Sequence, residues 1–231
     1  MLTKRIAQPL DWLLNGIVTA MAATGIPPNV LTWLSLLSNL WAAVLFARGR
    51  FAAAAGMMVL AGFCDIVDGR VARAQGRVTA FGGFLDSIVD RYSDLALFLG
   101  LLVYYSQVNR FMYACLVGAA MAGAVMVSYA RARAESLIGK HDVGFWDRPE
   151  RIVLMIIGAF ANRMPLALWI LAIGPNLTVI HHIVFTWQRT RRHPETTTAQ
   201  VSNVVQPPSF HPEAPGVSEP ALLSRSAHRG G

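Results

Sequence analysis

A chain of 231 residues that is 54% hydrophobic and 14% charged, with a mean hydropathy of +0.44, is too apolar for an ordinary soluble domain and reads as a polytopic membrane protein. The formal charge of +7 would suit a polyanion, but basic and aromatic residues are not interleaved on one stretch. Nucleic acid is therefore excluded as a partner, in favour of the lipid bilayer, its anionic headgroups and phosphorylated substrates.

Residues 1–25 form the first unit. Leu2, Ile6, Leu10, Leu13, Ile17 and Met21 make an apolar stripe, opposite Lys4, Gln8, Asp11, Asn15 and Thr19. This predicts an amphipathic helix lying in the membrane interface. Pro27-Pro28-Asn29 ends it and opens residues 26–192, the membrane unit. With about 20 residues needed per crossing, spans are expected at 29–47, 51–68, 82–105, 111–132, 150–162 and 164–187. The expected fold is thus all-α, a polytopic bundle of six transmembrane helices preceded by an interfacial helix. From 193 to 231 Pro, Ser, Thr and Gly dominate, predicting a disordered cytoplasmic tail.

Loop charge orients this bundle. Most Lys and Arg between Lys4 and Arg192 fall on the side of the N-terminus, and only Arg48, Arg50, Arg110 and Arg163 on the other. By the positive-inside rule, both termini are expected to face the cytoplasm, and an inner-membrane location is expected.

The informative stretch is D65-I-V-D68-G69-R-V-A72-R73, followed after eight residues by G82-G-F-L-D86-S-I-V-D90. Asp65 and Asp68 are spaced i,i+3 and Asp86 and Asp90 i,i+4, so each pair shares one face of its helix. Two such faces meeting would form a cage of four acids. An ionised side chain near the bilayer centre costs at least ~2.5–3.5 kcal/mol, and four like charges repel, so the cage needs cations. Two divalent ions cancel four carboxylates. An all-oxygen set favours Mg²⁺ or Mn²⁺, and paired metals suit phosphoryl displacement. Gly69, beside Asp68, lets the backbone approach a phosphate without a Cβ in the way.

The spacing D-x2-D-G-x2-A-R-x8-G-x3-D-x3-D, filled by Asp65, Asp68, Gly69, Ala72, Arg73, Gly82, Asp86 and Asp90, resembles the signature of the CDP-alcohol phosphotransferases. The resemblance implies a membrane enzyme that moves a phosphatidyl-type group from a CDP-linked lipid such as CDP-diacylglycerol to an alcohol and releases CMP. It implies that Asp65, Asp68, Asp86 and Asp90 hold two Mg²⁺ ions, or Mn²⁺, and that Asp90 is the general base. Arg73 would face the diphosphate. Gly69, Ala72 and Gly82 of the signature, with Thr79 and the turn Pro28-Asn29 with Thr32, resemble positions that hold the CDP-lipid. Asp94 continues the same helix face outside the pattern. Related proteins are homodimers, so a dimer is expected.

A second region, S128-Y129-A-R131-A-R133-A-E135 with D147-R148-P-E150-R151, joins Arg91 in supplying guanidinium groups. A neutral alcohol needs no such cluster, whereas a phosphorylated polyol does. These stretches look like the phosphatidylinositol-phosphate synthase branch, implying that Arg91, Arg131, Arg133, Arg148 and Arg151 receive a soluble inositol phosphate. Arg131 stands where the branch has lysine, and Asp147 where it has glutamate. Phosphatidylglycerol-phosphate synthase, whose acceptor also carries phosphate, is the rival within the family. An ion or proton transporter would also use intramembrane acids, but it predicts no glycine and arginine beside them.

Overall fold

The computed structural model describes residues 28–76, 78–139 and 144–192, together with Gly16 and Val18. The expected interfacial helix, apart from those two residues, and the expected tail lie outside the described residues. Those described form six helices and no strand: α1 (Pro28–Ala47), α2 (Phe51–Ala74), α3 (Ala80–Gln107), α4 (Phe111–Ile138), α5 (Arg148–Phe160) and α6 (Met164–Arg192).

Local chemistry sets the boundaries. Proline at the start of α1 gives up an N–H that has no partner in a first turn anyway. Between α1 and α2 the chain reverses over Arg48-Gly49-Arg50. Gly49 takes φ +71° there, with its N–H on Phe46 O at 2.9 Å, while Arg50 N donates to Leu45 O at 2.9 Å. Helix α3 begins where Thr79 Oγ1 accepts the Gly82 N–H at 3.0 Å, an N-cap. Helices α2, α3 and α4 run past the apolar limits expected for their spans, because hydropathy marks where lipid ends and not where backbone hydrogen bonding stops.

Four helices, α1, α2, α4 and α6, are long and apolar enough to cross a membrane. Helix α3 carries the charges of Asp86, Asp90, Arg91 and Asp94 along its N-terminal and middle turns. Helix α5 has 13 residues and so extends only roughly 20 Å, against a hydrocarbon core of about 30 Å.

Helix α1 packs against α2 and α3, α3 against α4, α4 against α6, and α5 against α2 and α6. The shared core contains Ala42, Phe46, Ala54, Ala55, Met58, Leu97, Phe98, Leu101, Val117, Ala120, Met155, Leu168 and Leu171. Small residues let the backbones approach, since lipid provides no hydrophobic drive between helices. Asn176 bonds α6 to α4: its Nδ2 donates to Ala119 O at 3.1 Å and to Ala172 O at 2.8 Å, beside Pro175, which has no N–H to give. Trp33, Trp41, Leu166, Trp169, Ile180 and Trp187 stay exposed, as a lipid-facing surface requires. The resulting order brings the C-terminal ends of α2 and α4 and the N-terminal ends of α3 and α5 to one end of the bundle, through the contacts at Asp65, Asp90, Arg131 and Arg148 described next.

Candidate active site

The four acids of the motif do not stand equivalently. Asp68 is buried and turns towards α1, accepting a hydrogen bond from Thr32 Oγ1 at 2.8 Å. Val18 packs with Leu31, Val67 and Val71 in a small cluster beside this bond. Asp65, three residues earlier on α2, faces α5. Its Oδ2 lies 2.8 Å from Arg148 Nη1, and the same nitrogen lies 2.7 Å from Oδ1 of Asp90 on α3. Asp86 is half-buried and lies in the electrostatic field of Asp65 and Arg148. Asp65 and Asp90 are thus joined through Arg148, while Asp68, although bonded to Thr32 on the α1 side, lies in the electrostatic field of both Asp86 and Asp65.

A divalent cation fits this donor set by its chemistry. The available ligands are hard carboxylate oxygens, and a positive centre already sits between Asp65 and Asp90 in the form of the Arg148 guanidinium. Among the described residues no three His, Cys, Asp or Glu side chains converge to ligate a single ion, so coordination would require the carboxylates to reorient.

Next to the motif, the Arg73 guanidinium lies over Gly69, whose added Cβ would meet Nη1 at 3.7 Å and Nη2 at 3.8 Å. Arg73 is exposed. A Cβ on Gly82 would stand 3.0 Å from Thr79 Oγ1, so this glycine leaves room for the cap. Ala72 is half-buried on α2. Pro28 and Asn29 begin α1, with side chains outside the described residues.

Towards α4 and α5 opens a cavity of about 530 Å³. Asp90 and Asp94 line one wall, and Arg91, Arg131, Arg148 and Arg151 contribute guanidinium groups to it. Arg131 is held by Asp147 at 2.6 Å and by Glu135 at 3.2 Å. Because Asp147 serves Arg131, it makes no side-chain cap to α5, although it occupies the N-cap position. Arg91 donates back to Ser87 O in the preceding turn. Arg151 is almost wholly buried, its Nη2 2.5 Å from Asp94 Oδ2 and its Nη1 3.1 Å from Trp146 O.

Arg133 is placed elsewhere. Two residues on from Arg131, it is about 200° further around the helix axis. It lines a separate apolar groove of about 440 Å³ between α4 and α6, with Tyr129, Ala134, His182 and Trp187. Spacing alone could have separated the two arginines, since i,i+2 positions never share a helical face. Asp94 is the residue whose importance sequence reading understated: it continues the Asp86-Asp90 face and receives both Arg151 and, at 3.5 Å, Arg148 Nε.

The chain is 35% identical over 194 residues to the archaetidylinositol phosphate synthase of Methanothermobacter thermautotrophicus, covering 81% of this chain and 87% of that one. Among solved structures it resembles the phosphatidylinositol phosphate synthase of Mycobacterium tuberculosis with CDP-DAG bound. The TM-score is 0.70 at 28% identity, over 75% of this chain and 93% of the other. The same M. tuberculosis enzyme in complex with manganese and citrate gives a TM-score of 0.69 at 29% identity, over 75% and 88%. The family model described as CDP-alcohol phosphatidyltransferase matches residues 26–187, which include all four motif aspartates and all four cavity arginines. This chain belongs to the CDP-alcohol phosphatidyltransferase family and is a membrane-embedded transferase.

Proposed function

We propose that the protein transfers the phosphatidyl group of CDP-diacylglycerol to a phosphorylated polyol, with inositol 1-phosphate the favoured acceptor, and releases CMP. The observation that carries this reading is a single cavity that joins Asp90 of the signature to the guanidinium groups of Arg91, Arg131, Arg148 and Arg151. A hydroxyl of the acceptor must be activated while its phosphate is gripped, and the lining of this cavity includes both a carboxylate and cationic forks.

In this reading Asp65, Asp68, Asp86 and Asp90 hold two Mg²⁺ ions, which supply charge neutralisation at the diphosphate. Gly69 and Arg73, with Ala72, Thr79 and Gly82, border the CDP moiety. Thr32 fixes the carboxylate of Asp68 through the 2.8 Å hydrogen bond, and Pro28 and Asn29 begin the same helix. Asp90 takes the proton of the acceptor hydroxyl, whose oxygen then attacks the lipid-side phosphorus as CMP leaves. No covalent intermediate on the protein is required. The catalytic unit is residues 26–192, close to the stretch matched by the family. Six crossings of the inner membrane with the site and both termini on the cytoplasmic side, and a homodimeric assembly, complete the proposal.

The test is to incubate purified protein with CDP-diacylglycerol and, separately, inositol 1-phosphate, glycerol 3-phosphate, inositol and serine, following CMP release with and without Mg²⁺. Release with inositol 1-phosphate alone supports the reading. Release with glycerol 3-phosphate alone reassigns the acceptor, and release with inositol or serine overturns the role of the arginines.

A further inference from the structure

Arg148 belongs to two places at once. It lines the cavity that carries Arg91, Arg131 and Arg151, yet its Nη1 sits 2.8 Å from Asp65 Oδ2 and 2.7 Å from Asp90 Oδ1, between the acids of α2 and α3. Its Nε lies 3.5 Å from Oδ1 of the buried Asp94, whose other oxygen is already taken by Arg151. The stem of the side chain thus lies beside the buried Asp94 on the acceptor side without a hydrogen bond to it, while its tip reaches two carboxylate oxygens of the signature.

Those oxygens cannot serve two cations in the same way. Arg148 Nη1 donates a hydrogen bond to Asp65 Oδ2 at 2.8 Å and lies 2.7 Å from Asp90 Oδ1 as an ion pair, so it stands where a metal bound by both oxygens would have to sit. We propose that Arg148 is a shared cation: it competes with a divalent metal for Asp65 Oδ2 and Asp90 Oδ1, and metal loading releases its guanidinium to the acceptor phosphate in the cavity that Arg148 already lines. This inference rests on the proposed metal and acceptor sites and adds an order to them. Acceptor phosphate gains a full guanidinium partner only after the acids have exchanged Arg148 for metal. By linkage the effect is reciprocal, so phosphate in the cavity must tighten metal binding by the same factor that metal tightens phosphate.

Removal of any positive charge near a metal site would favour the metal, so affinity for the ion alone does not isolate competition. The coupling does. A long-range field would leave phosphate and metal attracting one another with or without Arg148, whereas competition makes their coupling depend on the side chain.

The experiment uses the full-length protein in detergent, Mn²⁺ as the metal probe read by electron paramagnetic resonance, and inorganic phosphate as the acceptor probe read by calorimetry. In the native protein, saturating phosphate is expected to tighten Mn²⁺ by roughly 5- to 150-fold, the usual span of coupling between sites. Arg148→Gln is expected to bind Mn²⁺ more tightly without phosphate and to show no change when phosphate is added. Arg148→Lys keeps a cation on a flexible stem and should retain part of the coupling, giving a folded comparison should the glutamine variant not fold. Equal coupling in native protein and either variant overturns the inference, as does Mn²⁺ affinity in the native protein that is indifferent to phosphate. Absence of Mn²⁺ binding in every protein overturns the metal site itself, an outcome distinct from binding without coupling.

Discussion

Arg151 and Asp94 form a buried ion pair that joins α5 to α3 across 57 residues of sequence, with Nη2 of the arginine 2.5 Å from Oδ2 of the aspartate and side-chain exposures of 3% and 8%. Arg148 adds a second cation to the same aspartate at 3.5 Å. Asp94 is therefore the carboxylate around which the arginine-bearing end of α5 is held.

Asp94→Ala is expected to destabilise the protein by about 3–5 kcal/mol, because Arg151 would keep its charge in a buried site with only the Trp146 carbonyl as partner. The double replacement Asp94→Leu with Arg151→Met removes both charges and should recover most of that loss while abolishing acceptor binding. Thermal unfolding in detergent measures the first effect, and inositol 1-phosphate saturation curves measure the second. A single variant as stable as the native protein would show that the pair carries no structural load.

Thr32→Val should weaken the donor side of the reaction. The hydroxyl donates at 2.8 Å to a buried carboxylate, and a hydrogen bond to a charged group contributes about 1.5–3 kcal/mol. Losing it leaves Asp68 less fixed, and kcat/KM for CDP-diacylglycerol should fall by roughly 10- to 100-fold, since each 1.4 kcal/mol is a factor of about ten. Thr32→Ser keeps the hydroxyl and is expected to stay within a few-fold of native. Initial rates of CMP release across donor concentrations decide between them.

The two acid pairs were legible because helical periodicity is local: i,i+3 and i,i+4 spacings fix a face without knowledge of any neighbour. The same reasoning placed Asp94 on that face. The resemblance to an acceptor pocket supplies Arg148 and Arg151, but local spacing could not pair them with Asp65 and Asp94, contacts that span 83 and 57 residues and depend on how α5 returns to α2 and α3. Grouping Arg133 with Arg131 overlooked the turn of about 200° between them, and the two line different concavities. Helix ends were read short wherever a helix continued beyond its apolar stretch, as α2 does from Asp68 to Ala74. Thr79 joined the nucleotide-facing set by resemblance, and its hydroxyl accepts the Gly82 N–H, a capping role that its place before a helix already favoured.

Asp90→Asn is expected to lower turnover by roughly 10²- to 10⁴-fold, the usual contribution of a positioned general base. The fold should persist, because Arg148 retains Asp65 and Asp94 as partners after the charge on residue 90 is removed. CMP release at saturating donor and acceptor is the measurement, paired with an unfolding curve to exclude collapse. Chelation by EDTA should abolish turnover in the native protein, and added Mg²⁺ or Mn²⁺ should restore it. Undiminished turnover in Asp90→Asn would remove that carboxylate from the proton transfer.

Gly100→Ala tests whether the crossing of α1 and α3 tolerates a single methyl group. A Cβ at this position would stand 2.9 Å from both the Cα and the carbonyl carbon of Ala43, and closer still to its oxygen. All three are backbone atoms of a helix and cannot swing aside as a side chain would. Alanine ordinarily stabilises a helix interior by about 0.8–1.0 kcal/mol relative to glycine, whereas forcing extra volume into a packed contact costs about 1–3 kcal/mol. The clash is with main chain, so the penalty should exceed the propensity gain and the variant should unfold at lower temperature. Gly56→Ala on α2, where nothing lies within 4 Å of an added Cβ, keeps the propensity gain without the clash and should melt no earlier than native. Because α1 carries Thr32 and α3 carries Asp86 and Asp90, spreading this crossing also loosens the acid site from its far end. Mn²⁺ affinity in Gly100→Ala should therefore drop while that of Gly56→Ala stays unchanged, which separates a rigid α1–α3 crossing from one that merely fills space.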